Sequence, residues 1–304
     1  RNCRPPAKGT NTMMQPSMWS SYLIQMYPLE MARTLVRHGW KICELSDEHG
    51  HDLLKMGPPD KVGAAFKTLA ADIGISFPQG HFYLCNKGFR PEDLEGRKGA
   101  DIAPRDDADF EAAMDDMKRW VELFAALGVK AGVLHCGGHT MLKENAPYEQ
   151  VFERRCQAVA AVADFAAGTD VTICLENLTA IGTRTCDDLL KLIAAVNRPN
   201  VAICLDTGHA NICQVNVPDF IRQAGSHLKA LHIADNLGQK DDHMLPWGRG
   251  TVPWPEVMAA LKEVNYYGLF NFEVPGESHC PMPIKLAKLD YARILAEEMI
   301  KMAQ

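Results

Sequence analysis

The sequence predicts a single (β/α)8 barrel, and three observations carry the prediction. Short apolar, β-rich runs alternate with amphipathic helical stretches about eight times along the chain, and that alternation builds a parallel sheet. Acids and imidazoles sit at the C-terminal ends of four of the runs. Side chains drawn from several strand ends meet in a closed barrel, whereas an open sheet offers one crevice. The 304 residues accommodate one barrel of about 250 residues plus extensions, with no linker or sequence repeat to divide them. One domain over residues 1–304 is expected, with a short polar N-terminal arm over about 1–12 and a C-terminal helix over about 284–302.

Strand 1 is expected near residues 12–15. Residues 28–38 read as a helix with Leu29, Ala32, Leu35 and Val36 on one face, ended by Gly39. Residues 40–46 (WKICELS) form strand 2, with Glu44 near its end. A helix over 61–73, stopped by Gly74, leads to strand 3 over 75–84, which carries His81. The polar stretch 86–107 is too long for a routine connection. It leaves the C-terminal end of strand 3, so it is expected over the barrel mouth as a lid or substrate-contacting loop. A helix over 110–127 has Met114, Met117, Val121 and Phe124 at core spacing. Strand 4 covers 129–138 and ends in HCGGH, and a helix over 148–167 follows. Strand 5 is VTICLENL at 171–178. Thr185 and Asp188 form a capping box that opens a helix through Val196. Strand 6 is VAICLDTGHAN at 201–211, a helix starts at Pro218, and strand 7 is LKALHIADN at 228–236. A second long loop covers 237–251. Pro255 then sits at a helix start, with Val257, Ala260, Leu261 and Val264 facing inward. Strand 8 is LFNFEVPG at 269–276. The final helix is expected to present Ile284, Ala287, Tyr291, Leu295, Met299 and Met302.

With 47% hydrophobic and 23% charged residues, the composition is that of a globular chain whose core needs no disulfide support. The net charge of −6 argues against a nucleic-acid groove built on bulk positive charge, while a local basic patch stays open. There is no run of about 18 apolar residues to span a membrane. The ten cysteines contain no C-x-x-C pair. Cys174 and Cys204 lie two residues before Glu176 and Asp206, so strand alternation points both thiols into the barrel, one layer below those acids. Buried, inert thiols fit a reducing, cytoplasmic compartment. The chain begins at Arg1, which leaves a signal peptide removed before this numbering open.

Of the eleven histidines, His38, His49, His51 and His227 read as ordinary surface or core residues. His81, His135, His139, His209, His232 and His243 all fall at or just after strand ends, on one face of the barrel, interleaved with acids. Glu176, Asp206, His232 and Glu273, one from each of four strand ends, are expected to converge on a single divalent cation. Three carboxylates and one imidazole make a hard, oxygen-rich set that suits Mn²⁺ or Mg²⁺, with Co²⁺ tolerated. Further histidines would shift the preference toward Zn²⁺.

The motifs LEN at 175–177, DTGH at 206–209, HIADN at 232–236, DDHMLPWGRGTVPW at 241–254 and FEV at 272–274 resemble those of the xylose-isomerase-like TIM-barrel superfamily. That superfamily holds sugar isomerases, epimerases, inosose dehydratases and the endonuclease IV-like nucleases. The likeness runs over about residues 29–275, and the order and spacing of the motifs are more specific than any one of them. The resemblance implies Glu176, Asp206, His232 and Glu273 as metal ligands. It also implies Glu176 and Glu273 as the groups that move protons, with His209 hydrogen-bonded to a substrate oxygen as part of the catalytic set. The other polar residues of the mouth, His81, His135, Asp241, His243 and Arg249, are expected to join His209 in binding substrate.

The sequence departs from the ketose 3-epimerase pattern after the strand 7 histidine. The loop is longer, carries Asp241 and His243, and has its first arginine at Arg249. The nine ligand positions of endonuclease IV find candidates in His81, His135, Glu176, Asp206, His209, His232, Asp241, His243 and Glu273. DNA binding, however, needs phosphate neutralisation by Lys and Arg, and this mouth is rich in acids. The superfamily's lyases, which act on 3-oxo-glycosides by α-proton abstraction and elimination, share the same motifs. The loop after strand 8 (VPGESHCPMP) lacks a cationic phosphate cradle. The expected protein is a divalent-metal-dependent isomerase or epimerase of an unphosphorylated ketose, inosose or related polyol. A lyase or dehydratase and an endonuclease IV-like enzyme are the alternatives. Its expected partners are a small carbohydrate and further copies of itself, without nucleic acid or membrane.

Overall fold

Eight parallel strands follow one another around a barrel in the order β7-β6-β5-β4-β3-β2-β1-β8. They are β1 (Gln15–Trp19), β2 (Ile42–Leu45), β3 (Ser76–His81), β4 (Ala131–Leu134), β5 (Thr172–Glu176), β6 (Val201–Asp206), β7 (Leu228–His232) and β8 (Leu269–Phe272). The ring closes just past the ends of β7 and β8, where the Ile233 amide donates to the Asn271 carbonyl at 2.8 Å and the Glu273 amide to the Ile233 carbonyl at 3.2 Å. The computed structural model describes residues 13–276 and 280–303; the expected arm at 1–12 lies outside them.

Helices α1 (Pro28–Arg37), α2 (Asp47–Lys55), α3 (Pro59–Ile73), α4 (Asp107–Leu127), α5 (His139–Lys143), α6 (Tyr148–Phe165), α7 (Cys186–Val196), α8 (Thr207–Ile212), α9 (Val217–Ala224), α10 (Trp254–Glu263) and α11 (Met282–Met302) lie between or after the strands. The main core is the shell between strands and helices. There Met114, Met117, Val121 and Phe124 of α4, and Val257, Ala260 and Leu261 of α10, are buried as their helical spacing requires. The barrel interior is a separate cluster of small side chains, Ala131, Val133, Cys174, Ala202, Cys204 and Ala230. Both thiols therefore sit one layer below Glu176 and Asp206, and burial pushes the Cys174 thiol up to about 12. The nine described cysteines are free. Among the described residues no helix is long and apolar enough to cross a membrane.

Local chemistry explains the element ends. Thr185 Oγ1 accepts from the Asp188 amide and Asp188 Oδ2 from the Thr185 amide, the reciprocal cap expected of that spacing. Gly128 ends α4 at φ +94°, a conformation costly for any residue with a Cβ.

Two expectations need correction. The first strand is Gln15–Trp19 rather than 12–15. Its inward residue Ser17 is polar and its second residue is Pro16, so the run has no apolar signature. The final helix buries Lys285, Leu289, Ala292, Ala296, Met299 and Ile300, while Ile284, Tyr291 and Met302 are exposed. Its packed face joins Leu289, Met299 and Ile300 to two alanines and one lysine stem, so the run from Ile284 to Tyr291 marks a neighbouring stripe, and of the expected residues Met299 is buried. The stretch 86–107 does reach the barrel mouth, where Ala100 and Ile102 line a cavity with His135 and Leu178. It is anchored, however, at both ends. Arg90 forks onto Asp52 and donates to the Met26 carbonyl at 2.6 Å. Asp101 accepts from the Gly138 and Thr140 amides at 2.6 and 2.9 Å.

Candidate active site

The strand-end donors meet above the ring of small interior residues. Glu176, the last residue of β5, is the hub and is buried. Its Oε1 lies 3.0 Å from His232 Nδ1 and 3.6 Å from His209 Nδ1. Its Oε2 lies 2.9 Å from His135 Nε2 and 3.3 Å from His81 Nε2. His232, ending β7, also has Nδ1 3.2 Å from Glu273 Oε2. Asp206 ends β6 and begins α8, and its Oδ1 accepts the His209 amide at 2.6 Å. One side chain thus serves as strand-end donor and helix cap, which is the physical content of the DTGH motif. Asn177, next to Glu176, clamps the Asp206 backbone: its side-chain amide donates to the Asp206 carbonyl at 2.9 Å and its oxygen accepts from the Asp206 amide at 2.7 Å.

Ligand atoms of Glu176, Asp206, His232 and Glu273 all lie within 4.8 Å of one another. One of these carboxylate oxygens, Asp206 Oδ2, is buried without a hydrogen-bond partner, while Glu273 Oε2 faces the His232 ring at 3.2 Å. Buried polar atoms are otherwise almost always satisfied. An unpaired buried oxygen within a cluster of hard donors fits a divalent cation. Two further groups share the same spacing, one of His81, Glu176 and His232, the other of His209, Asp241 and His243. In the latter, Asp241 Oδ2 lies 3.0 Å from both His209 Nε2 and His243 Nε2.

The charges are mutually adapted. Burial would raise the Glu176 and Glu273 carboxyls, but the facing imidazoles outweigh it. His232 and His135 hold Glu176 well below its usual range, and His232 and His243 hold Glu273 down to about 2. Asp206 goes the other way, to about 7, from burial and the Glu273 and Glu176 charges, against the opposing pull of His209. Burial lowers the basicity of His135. Burial also acts against protonation of His209, yet Asp206 and Asp241 keep its ring well above the usual histidine range.

All nine of the imidazoles and acids expected at the mouth as ligands or substrate contacts are brought together. Arg249 is exposed and lines a cavity beside His243 rather than touching the donors. His139, also expected at the mouth, lies 3.5 Å from Asp101 and outside the cluster. The ordinary histidines find ordinary partners: His38 lies 2.7 Å from Asp290, His49 2.9 Å from Ser20 Oγ and His51 2.9 Å from the Cys85 carbonyl. Sequence reasoning missed the role of Glu44. Its Oε1 is 3.0 Å from His232 Nε2, and Asn271 donates to its Oε2. A carboxylate on the far nitrogen fixes the ring so that Nδ1 faces the donor cluster. The available signal was an acid, Glu44, near the C-terminal end of β2. Asp235 was also unassigned. It accepts from the Asn236 and Val252 amides at 2.8 and 3.1 Å and from Trp254 Nε1 at 2.8 Å, beneath the loop that carries Asp241 and His243. A Cβ on Gly250 would stand 2.0 Å from the Asp235 carboxylate, so only glycine admits this approach.

A family model described as xylose isomerase-like TIM barrel matches residues 32–299. An L-ribulose 3-epimerase from a Methylomonas species is 30% identical over 181 residues, covering 57% of this chain and 59% of its own. A probable endonuclease 4 from Mesomycoplasma hyopneumoniae is 24% identical over 233 residues, covering 72% of this chain and 78% of its own. A solved L-ribulose 3-epimerase structure matches with TM-score 0.75 at 21% identity, over 96% of each chain, which is a likeness in fold. The chain spans from 26% to 59% of the length of four curated 3-epimerases that it matches.

Proposed function

Because the chain belongs to the xylose isomerase-like TIM-barrel family, we propose that it is a divalent-metal-dependent isomerase or epimerase of an unphosphorylated carbohydrate. The observation that carries the proposal is the four-residue donor set itself, which holds the buried Asp206 Oδ2 without a hydrogen-bond partner. Glu176, Asp206, His232 and Glu273 would hold the cation, Mn²⁺ first, with Mg²⁺, Co²⁺ or Zn²⁺ compatible with the same donors. When bound, the cation supplies electrostatic stabilisation for negative charge developing on adjacent sugar oxygens.

The chain's own residues move the proton. Glu176 and Glu273 are both held ionised and reach His232 Nδ1 from different strands, at 3.0 and 3.2 Å. One carboxylate takes the proton from the sugar carbon next to the carbonyl, and the other returns one to the opposite side. His209, kept protonated by Asp206 and Asp241, donates to a sugar oxygen. Glu44 fixes the His232 ring through its far nitrogen. The relatives that act on ketoses support the substrate class. The test is solvent-deuterium incorporation into a panel of ketoses by wild type and by Glu176→Gln and Glu273→Gln. Both variants should lose exchange, and exchange retained in both would remove these glutamates from the reaction. Uptake without net isomerisation would point to the lyase alternative.

A second reading is favoured by the two further donor groups around His81 and around Asp241, together with the likeness to a probable endonuclease 4. An endonuclease IV-like phosphodiesterase with three zinc ions would use all nine residues. The net charge of −6 weighs against it, because duplex binding is dominated by phosphate neutralisation. Cleavage of an abasic-site duplex is its direct assay.

A further inference from the structure

We propose that α11 is a docking face for a second copy of this chain, and that the two α11 helices pair antiparallel about a two-fold axis. None of the residues involved belongs to the strand-end donor set, so the pairing is independent of the carbohydrate reading. The barrel packs on the face of α11 that carries Lys285, Leu289, Ala292, Ala296, Met299 and Ile300. It leaves Ile284, Tyr291 and Met302 exposed by 52, 53 and 45%, and Ile294 beside them by 52%. Leu295, in the same row, is half-buried. Apolar side chains scattered singly over a surface are ordinary, but a row of them along a helix of about 30 Å marks an interaction surface.

The row has the spacing of a helix–helix seam. Ile284, Lys288, Tyr291, Leu295, Glu298 and Met302 follow one another at alternating steps of four and three residues, the heptad pattern by which one helix packs on another. The series begins and ends on a step of four, so it reads the same in either chain direction. Laid against a reversed copy of itself, Ile284 of one copy meets Met302 of the other, Lys288 meets Glu298, and Tyr291 meets Leu295. Each of these layers then occurs twice, as a two-fold, self-complementary interface requires.

Charge complementarity names the partner and selects the direction. A parallel pair in the same register would set Lys288 against Lys288 and Glu298 against Glu298, and like charges at the seam repel. The antiparallel pair sets each lysine against a glutamate. Within the chain, Glu298 lies 2.6 Å from Lys301, with the two side chains 63 and 61% exposed. An exposed pair of this kind contributes little, so it does not hold Glu298 away from the second copy. The apolar surface also runs on past the helix. Lys288 and Tyr291 form one wall of a cavity of about 610 Å³ whose other walls include Leu245, Pro246 and Val274. That extension adds to the area of the helix pair, as a specific interface needs more surface than one narrow seam supplies.

The experiment is sedimentation velocity of the full chain over a wide concentration range, for wild type and four variants. The wild-type mass should rise reversibly from one chain to two and no further. Tyr291→Asp, Lys288→Glu and Glu298→Lys should each weaken the dimer by about tenfold or more. Lys288→Glu combined with Glu298→Lys exchanges the two charges and should return the affinity to within about threefold of wild type. These positions are exposed in the single chain, so thermal unfolding of dilute, monomeric protein should match wild type in every variant, which separates loss of pairing from loss of fold. A single chain at every concentration would overturn the proposal. So would a dimer that Tyr291→Asp leaves at wild-type strength, because another face would then make it. Failure of the double variant to recover what either charge reversal alone loses would overturn the antiparallel register.

Discussion

Glu176→Gln probes the hub of the site, and its outcome can be worked from the geometry. The wild-type carboxylate meets three imidazoles at 3.0, 2.9 and 3.3 Å in a buried position. Charge-assisted bonds of this kind contribute roughly 1.5–3 kcal/mol each. The glutamine keeps one accepting oxygen and presents an amide donor where the other oxygen stood. His81 loses the partner that holds its ring up to about 9 against the opposing effect of burial, and it can become neutral in response. The net loss should therefore fall below the sum of three bonds, at about 2–4 kcal/mol. For a chain of this size that lowers Tm by roughly 3–6 °C. Loss of a general base lowers proton transfer by about 10²–10⁴-fold. Thermal unfolding of the metal-free chain and deuterium incorporation with Mn²⁺ present read the two effects separately. A variant with Tm lowered as stated but with exchange within about threefold of wild type would refute Glu176 as a proton carrier. A variant with unchanged Tm would refute the three-imidazole hub.

Two further substitutions test the supports of the site. Asp235→Ala should cost about 2–5 kcal/mol, because it strands the Trp254 indole and the Val252 and Asn236 amides in a buried position. In kinetics, KM should rise more than kcat falls, since the loop bearing Asp241 and His243 loosens; an unchanged KM would contradict the support. Asp101→Ala should lower Tm near pH 7, because four donors from Ala103, Gly138 and Thr140 lose their acceptor. Burial raises the Asp101 carboxyl, but the Thr140, Ala103 and Gly138 bonds more than offset it, so its folded pKa lies below the ordinary 3.8. A depressed acid contributes its stability fully above the unfolded pKa and loses it as pH falls through the folded one. The gap between wild type and variant should therefore be widest at neutral pH and narrow below about pH 4. A gap that widens on acidification would contradict this assignment.

The residues that could be read from sequence are those whose role depends on local pattern. Strands β5, β6 and β7 are apolar runs ending in an acid or imidazole, and both the strands and their donors were legible because a barrel concentrates function at those ends. β1 was misplaced because Pro16 and Ser17 break the apolar signature. Helices α2, α5 and α8 were not separated from the turns around them. DEHGHDLLK, HTMLK and TGHANI are too short or too polar to show a helical stripe. The buried face of α11 was hidden by Ala292 and Ala296, which pack closely but carry no large apolar side chain. Glu44 was seen at its strand end but not assigned. Its partner His232 is 188 residues away in the chain, and only the closure of the barrel sets the two at 3.0 Å. Loop anchoring by Arg90 on Asp52 and by Asp101 on α5 is equally non-local, since no spacing rule links those positions.

Metal content of the purified chain, after chelation and reconstitution with Mn²⁺ and separately with Zn²⁺, tests the central claim most directly. The account predicts one tightly held cation per chain, restored deuterium exchange with Mn²⁺, and the same stoichiometry in His209→Asn, because His209 is assigned to the sugar rather than the ion. Three zinc ions per chain, falling in His209→Asn and accompanied by cleavage of abasic-site DNA, would contradict it.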